Sequence, residues 1–347
     1  MIEKNDYIGI MVTDSYSRKY VLNKYLACNK TKLKLVCFTP SSINWKRKSI
    51  IGLYRTKSNW EISRLPLPQV IYNRCYNLKD TTIKRLELVV GRNKCFNQIN
   101  QFNKLEIYNH LSQLLVQYLP ETIPYNKENV LRLLEIHKTL YLKPCYGHYG
   151  NNMYRVEMKN SGDIHICRHY FAPEFIERDP LMFQEKIHNL IGPTPYIIQK
   201  GVDMSQLNEQ NFDIRALVQK NKKGIWVVTN VVSRISYKGC FNTSIFETVY
   251  LTQELLNRLY PPNKTEAILQ SINKIALKAA KTIEAKTSNH LGELSVDFAL
   301  DKEGLVWVIE MNGMPQKNLY DEIHKNGRSV YIQPLQYAQY LYNINIK

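Results

Sequence analysis

Asp297, Glu310 and Asn312 are the residues of this chain whose types and spacing best suit chemistry. Two carboxylates and an amide oxygen make a hard, all-oxygen ligand set. Such a set suits Mg²⁺, which takes few protein ligands and fills its shell with water and substrate phosphates. Leu294, Val296, Phe298 and Leu300 alternate with Ser295, Asp297 and Ala299, the period of a strand with two unlike faces. Asp301 to Gly304 reads as a tight turn, and a second strand runs to Asn312. In a hairpin symmetric about that turn, residues whose numbers sum to 605 face each other. Asp297 then opposes Val308 and lies diagonal to Glu310, within reach of a shared ion, and Asn312 shares the face of Glu310. A lone acid near a turn is usually solvated. Here Leu305 to Ile309 is too apolar for a surface edge, and a buried carboxylate needs a compensating partner.

Two other groups of residues could handle anions. Leu140 to Pro144 reads as a strand ending at Lys143, followed by the loop Cys145 to Asn152 with Gly147 and Gly150, and by a second strand, Met153 to Met158. Glycines let backbone N–H groups approach a phosphate, and the lysine supplies a point charge. This is not the Gly-Lys-Ser/Thr pattern that opens a helix, and an ordinary turn would read the same way. Arg215 and Arg234 each sit on an apolar β-branched run, Phe212 to Gln219 and Ile225 to Ile235, around a turn at Asn221 to Gly224. A buried guanidinium requires an anion, either a structural carboxylate or a ligand phosphate. Asp213 could satisfy Arg215. Arg234 has no acidic neighbour in sequence, which favours a ligand. His165, Cys167 and His169 alternate as on a strand and read as structural.

The elements that must position these groups follow an α/β pattern. Strands at Asp6 to Asp14, Leu33 to Phe38 and Val70 to Tyr72 are separated by helical or irregular connections. A helix from Asn103 to Tyr118 carries Lys104 at its front and stops at Pro120, and a short helix spans Glu128 to His137. Pro195 to Val202 is an apolar strand that loosens at Gly201. Asn263 to Ala285 carries Ile268, Ile272, Ile275, Ala276, Ala279, Ala280 and Ile283 on one stripe, and Tyr331 to Tyr342 adds a closing helix.

With 347 residues the chain can hold two or three domains. No run approaches the roughly 18 apolar residues of a membrane span, and the N-terminus has no apolar signal core, so a cytosolic location is expected. Seven scattered cysteines without a Cys-x-x-Cys pair fit reduced thiols and argue against a zinc site. The net charge is +17, and residues 1–100 hold 19 Lys and Arg against 6 Asp and Glu. That excess could attract nucleic acid or an acidic substrate. The basic residues are dispersed and no nucleic-acid motif accompanies them, so nucleic-acid binding is the weaker expectation.

Taken in order, Lys104, Leu142-Lys143-Pro144 with its glycine loop, Gln199 to Val202, Asp213-x-Arg215, Arg234, Asp297 and Glu310-x-Asn312 resemble the ATP-grasp superfamily. Tyr72-Asn73-Arg74, Leu119-Pro120-Glu121-Thr122, Tyr196 to Val202, Phe212 to Gln219 and Gly292-Glu293-Leu294 are similar to the YheC/YheD-type endospore coat-associated proteins of that superfamily. The resemblance implies an α/β (α+β) chain with the ATP-grasp fold in three parts. These are a pre-ATP-grasp α/β domain (1–100), connecting helices and a lid with the glycine loop (101–200), and a C-terminal mixed-sheet domain with the metal site (201–347). It implies that Lys104, Lys143, Gly147 and Gly150 hold the phosphates of ATP, that Gln199, Lys200 and Val202 present hinge backbone to the adenine, and that Asp203 is a weaker candidate for the ribose. Arg215 and Arg234 would hold the γ-phosphate or a nascent acyl phosphate, and Asp297, Glu310 and Asn312 one or two Mg²⁺ ions.

The implied reaction is ATP-dependent ligation of a carboxylate to an amine through an acyl phosphate, with a spore-coat component or acidic peptide as the expected substrate; the acid and the amine have no readable code. The alternative is a nucleotide-binding coat or scaffold protein without turnover. One departure stands out, since Asn152 occupies a position where a third loop glycine is usual. Asparagine tolerates left-handed backbone better than other side chains.

Overall fold

The computed structural model describes residues 6–57, 59–321, 323 and 327–344. Three sheets follow one another along the chain. In the first, the parallel strands Lys34–Phe38, Tyr7–Val12, Val70–Arg74 and Cys95–Phe96 lie side by side, and antiparallel strands Ile43–Asn44, Ser49–Arg55 and Trp60–Pro66 extend one edge. Parallel strands are buried on both faces, and alternate residues here enter different cores. Ile8, Ile10, Leu35 and Cys37 pack with helix Ser17–Leu26 and the C-terminal helix Ser329–Asn343. Met11, Val36 and Phe38 pack with Ile83 and Leu86 of helix Asp80–Val90. The hairpin Ser49–Arg55/Trp60–Pro66 lies in a region read from sequence only as a connection; its outer strand is mostly exposed or half-exposed, so its hydrophobic alternation is weak.

The second sheet is antiparallel, in the order Phe175–Glu177, Ile164–Cys167, Tyr154–Met158, Thr139–Pro144, Tyr196–Lys200, Thr122–Pro124. Helices Lys127–His137 and Pro180–Ile191 cover one face through Val130, Leu134, Phe183 and Ile187. The third sheet, also antiparallel, runs Phe246–Leu251, Trp226–Ser236, Gln210–Lys220, Glu293–Leu300, Val306–Asn312. The isoleucine and alanine stripe expected for the long helix is buried on this sheet, and the helix spans Pro262–Thr287. The sheet's other face meets Leu335 and Ala338 through Leu217 and Val232, so helix Ser329–Asn343 is shared by the first and third sheets.

A side chain just past the first sheet fastens that junction. Asn97 Nδ2 donates to the carbonyls of Glu293 (2.7 Å) and Gly313 (2.6 Å), and its Oδ1 accepts from the N–H groups of Gly292 and Glu293.

The hairpin bearing Asp297 and Glu310 forms as expected, but its register differs. Asp301 accepts from Gly304 N through its carbonyl and from Leu305 N through Oδ1, which lengthens the turn by one residue and pairs Phe298 with Val308. A bulge then takes up Ile309, so that Asp297 lies directly opposite Glu310 and Ser295 opposite Asn312. The two carboxylates are therefore cross-strand neighbours rather than diagonal ones.

Candidate active site

A cleft opens between the second and third sheets. Tyr141, Lys143, Gly147, Gly150, Gln199 and Val202 line it from one side, and Asp213, Arg234, Asn242, Asp297 and Glu310 from the other.

The carboxylate wall is built by strand register. Arg215 is the cross-strand partner of Asp297, and Asp213 that of Arg234. The Arg215 guanidinium donates to both Asp297 oxygens at 2.7 and 2.6 Å. Arg234 does the same to Asp213, its Nη2 also reaching Asp297 Oδ2 at 3.4 Å. Thr243 Oγ1 adds a hydrogen bond to Asp213 at 2.8 Å. All four charged residues are buried. Burial works to raise the Asp297 carboxyl, but Arg215 and then Arg234 more than offset it and hold the group below the usual carboxylate range. Asp213 thus serves Arg234, not Arg215 as the sequence suggested. The pairing was hidden because the two residues lie on different strands.

Glu310, a quarter exposed, projects beside Asp297, and Asn312 Nδ2 lies 3.5 Å from Asp297 Oδ2. Among the described residues no three His, Cys, Asp or Glu side chains gather as a metal cage. The set is two carboxylates and an amide on one face of a hairpin, a donor chemistry that fits a hard dication taking few protein ligands.

The cationic wall faces it. Asn103 caps its helix by accepting from Leu105 and Glu106 N–H, which fixes Lys104 in the first turn. Lys104 Nζ donates to the Gly147 carbonyl at 3.1 Å and lies 3.2 Å from Glu310, linking the glycine loop to the carboxylates. Lys143 donates to Gln199 Oε1 at 2.7 Å, and Gln199 is oriented in turn by Thr122. Burial pushes the Lys143 ammonium down to about 8, with Glu310 pulling the other way.

The glycine loop has the backbone its sequence suggests. Gly150 has φ of +68°, and a Cβ there would strike the Asn242 amide, which donates to the Tyr149 carbonyl. Asn152 adopts φ of +56°, the left-handed conformation asparagine tolerates. The Lys200 and Gly201 N–H groups donate to Glu121 and Thr139 carbonyls, tying the end of that strand to its neighbours, with Val202 at the cleft.

The fold therefore gathers Lys104, Lys143, Gly147, Gly150, Gln199, Lys200, Val202, Arg234, Asp297 and Glu310 around one cleft. Three predicted residues are absent from its lining. Asn312 reaches it only through Asp297. Arg215 is closed on Asp297 behind the wall, and Asp203 points away, paired with Lys302 at 2.8 Å on the surface. Sequence reasoning missed Asn242 and Thr243, which lie in a polar connection between two strands whose only signal is a run of small and amide side chains.

Residues 92–341 match the family model described as YheC/D like ATP-grasp. The chain is 26% identical over 318 residues to the endospore coat-associated protein YheD of Bacillus subtilis (strain 168), covering 88% of this chain and 70% of that one. It is 22% identical over 326 residues to YheC of the same organism, covering 90% and 89%. Among solved structures it is similar to the VanG D-Ala:D-Ser ligase of Enterococcus faecalis (TM-score 0.55, 13% identity, 98% of this chain and 100% of that one). It also resembles D-alanyl-alanine synthetase A of Vibrio cholerae O1 biovar eltor (TM-score 0.53, 9% identity, 97% and 96%). The N5-carboxyaminoimidazole synthetase of Staphylococcus aureus is a third (TM-score 0.56, 11% identity, 95% and 77%). At these identities the structural likeness concerns the fold.

Proposed function

This chain belongs to the YheC/D-like ATP-grasp family, and from that premise we propose that it is an ATP- and Mg²⁺-dependent carboxylate–amine ligase forming an amide or peptide bond through an acyl phosphate. The observation that carries the reading is the cleft itself. A carboxylate pair on the third sheet faces Lys143 and the glycine loop of the second, and Lys104, at the front of a helix packed on the third sheet, bridges the two.

ATP lies in this cleft with its adenine at the hinge of Gln199 to Val202 and its triphosphate under the glycine loop. Lys104 and Lys143 bind the phosphates, exchanging their present contacts with Glu310 and Gln199 for phosphate oxygens. Asp297, Glu310 and Asn312 would hold one or two Mg²⁺ ions, which offset phosphate charge when bound. Arg215 positions Asp297, and Arg234, which reaches Asp297 from the side of Asp213, would lend its charge to the γ-phosphate or nascent acyl phosphate. A substrate carboxylate attacks the γ-phosphorus and ADP leaves; an amine then attacks the acyl carbon and phosphate leaves. The chain supplies positioning and electrostatics rather than a nucleophile, and closure of the second sheet over the cleft keeps water from the acyl phosphate. Its relatives' names support a substrate bound for the spore coat. No helix among the described residues is long and apolar enough to cross a membrane.

The test supplies the protein with ATP, Mg²⁺ and panels of acids and amines, and follows ADP and phosphate release together with the mass of the product. Turnover should depend on Mg²⁺ and vanish in Glu310→Ala. Tight ATP binding without turnover across broad panels would favour a nucleotide-binding coat protein instead.

A further inference from the structure

A second cavity, of about 740 Å³, lies where helix Ser17–Leu26 and Arg74 of the first sheet meet the segment that follows Asn312. It adjoins the nucleotide cleft, with the glycine loop between them. Tyr149 lines this cavity, whereas His148 and Gly150 line the cleft.

Its wall contains an ionic cluster that does not balance. Lys317 Nζ lies 2.7 Å from Glu293 Oε2 and bonds the hydroxyls of Tyr72 and Tyr25 at 2.8 and 3.1 Å. Arg74 Nη1 lies 3.2 Å from Glu293 Oε1 and 2.9 Å from the Tyr72 hydroxyl. Tyr72 itself donates to Glu293, as does Gln219. Among the described residues two cations thus share one carboxylate, and Lys317 is only 3% exposed. Lys24, the third cation of the cavity, is matched by Asp321 at 3.0 Å. A buried charge without its counterion is costly, and a planar guanidinium whose described bonds all leave from Nη1 has its other nitrogens to offer an oxyanion.

We propose that this cavity anchors a carboxylate of the acid substrate on the unused nitrogens of Arg74, with the charge of Lys317 behind it and the rings of Tyr25, Tyr149 and Tyr331 around it, so that the acid joined here is a dicarboxylic one, such as an acidic amino acid or the acidic end of a peptide. The anchored carboxylate is not the reacting one. It sits on the far side of the glycine loop from Lys143, while the group that attacks the γ-phosphorus must lie in the cleft. The substrate therefore carries two carboxylates and spans the loop. This inference rests on the ligase reading for the fate of the second carboxylate, but not for the binding of the first.

Calorimetry on the full chain without nucleotide, comparing glutarate with its neutral isostere glutaramide, tests it. Glutarate should bind and glutaramide should not. Arg74→Gln should weaken glutarate on the order of tenfold or more, the loss expected for a charge-assisted bond. Arg74→Lys should recover part of it, and ATP affinity, measured in the same samples, reports that each variant is folded. Equal binding of the two probes, or wild-type glutarate affinity in both Arg74→Gln and Tyr149→Ala, would overturn the proposal. If glutarate binds through Arg74 yet no amine elicits ADP release, the ligase reading fails and the anion site stands. If monocarboxylates support ADP release as fast as dicarboxylates, the assignment of this cavity to the acid substrate fails and the ligase reading stands.

Discussion

Two buried ionic clusters share the third sheet, and they differ in their arithmetic. On the cleft side Arg215, Arg234, Asp213 and Asp297 form a quartet in which two guanidinium groups meet two carboxylates, both arginines in forked geometry. Beneath the first sheet, among the described residues, Glu293 alone answers both Lys317 and Arg74. A balanced cluster carries no net charge and holds its members in place. An unbalanced one carries a net positive charge that an anion can meet. Lys143 shows a third outcome. Its nearest partner is a neutral amide, and burial makes the ammonium easier to deprotonate.

Glu293→Ala should have the largest effect, because it strips the counterion from two cations at once. We expect about 3–5 kcal/mol of lost stability in urea unfolding. Asp297→Ala should come next, near the low end of that range at about 3 kcal/mol, since Arg234 keeps Asp213 and only Arg215 is stranded. If the order is reversed, counting charges is the wrong guide to these clusters. Lys143 offers a pH test. Between about 8 and the ordinary lysine value of 10.5, ATP binding must take up a proton, so affinity should fall as pH rises, by up to about tenfold per unit. Below pH 8 this dependence should disappear, and Lys143→Met should flatten it throughout. For stability the sign is opposite, because the cost of burying the ammonium is present below pH 8 and relieved above it. Arg74→Gln should be the mildest change, within about 1 kcal/mol in stability, because Lys317 remains to neutralise Glu293. A loss as large as that of Glu293→Ala would mean that Arg74 is required in the resting protein and is not held for a ligand.

What the sequence disclosed follows from range. Asp297, Glu310 and Asn312 were legible because one hairpin carries all three, and local alternation assigns their face. Their register was not, because the longer turn and the bulge at Ile309 depend on how Asp301 folds back on its own loop. The long helix announced itself through a stripe of isoleucine and alanine. Arg234 looked unpaired because Asp213 is its neighbour only once two strands lie side by side. Lys317 gave no signal at all. It follows a Met-Pro-Gln loop, and only the meeting of the first sheet with Glu293 gives it meaning.

Asn97 has a bearing on how this protein could be taken apart. With one amide it satisfies backbone groups of Gly292, Glu293 and Gly313, more than 190 residues downstream. A fragment cut away at residue 100 would leave those peptide groups bare and uncover Phe96 and Tyr72, which stack on each other in the interior. The amino-terminal hundred residues are therefore no separable cartridge. Swapping them between relatives to change specificity would require carrying the loop at Gly292 and the segment at Gly313 along with them.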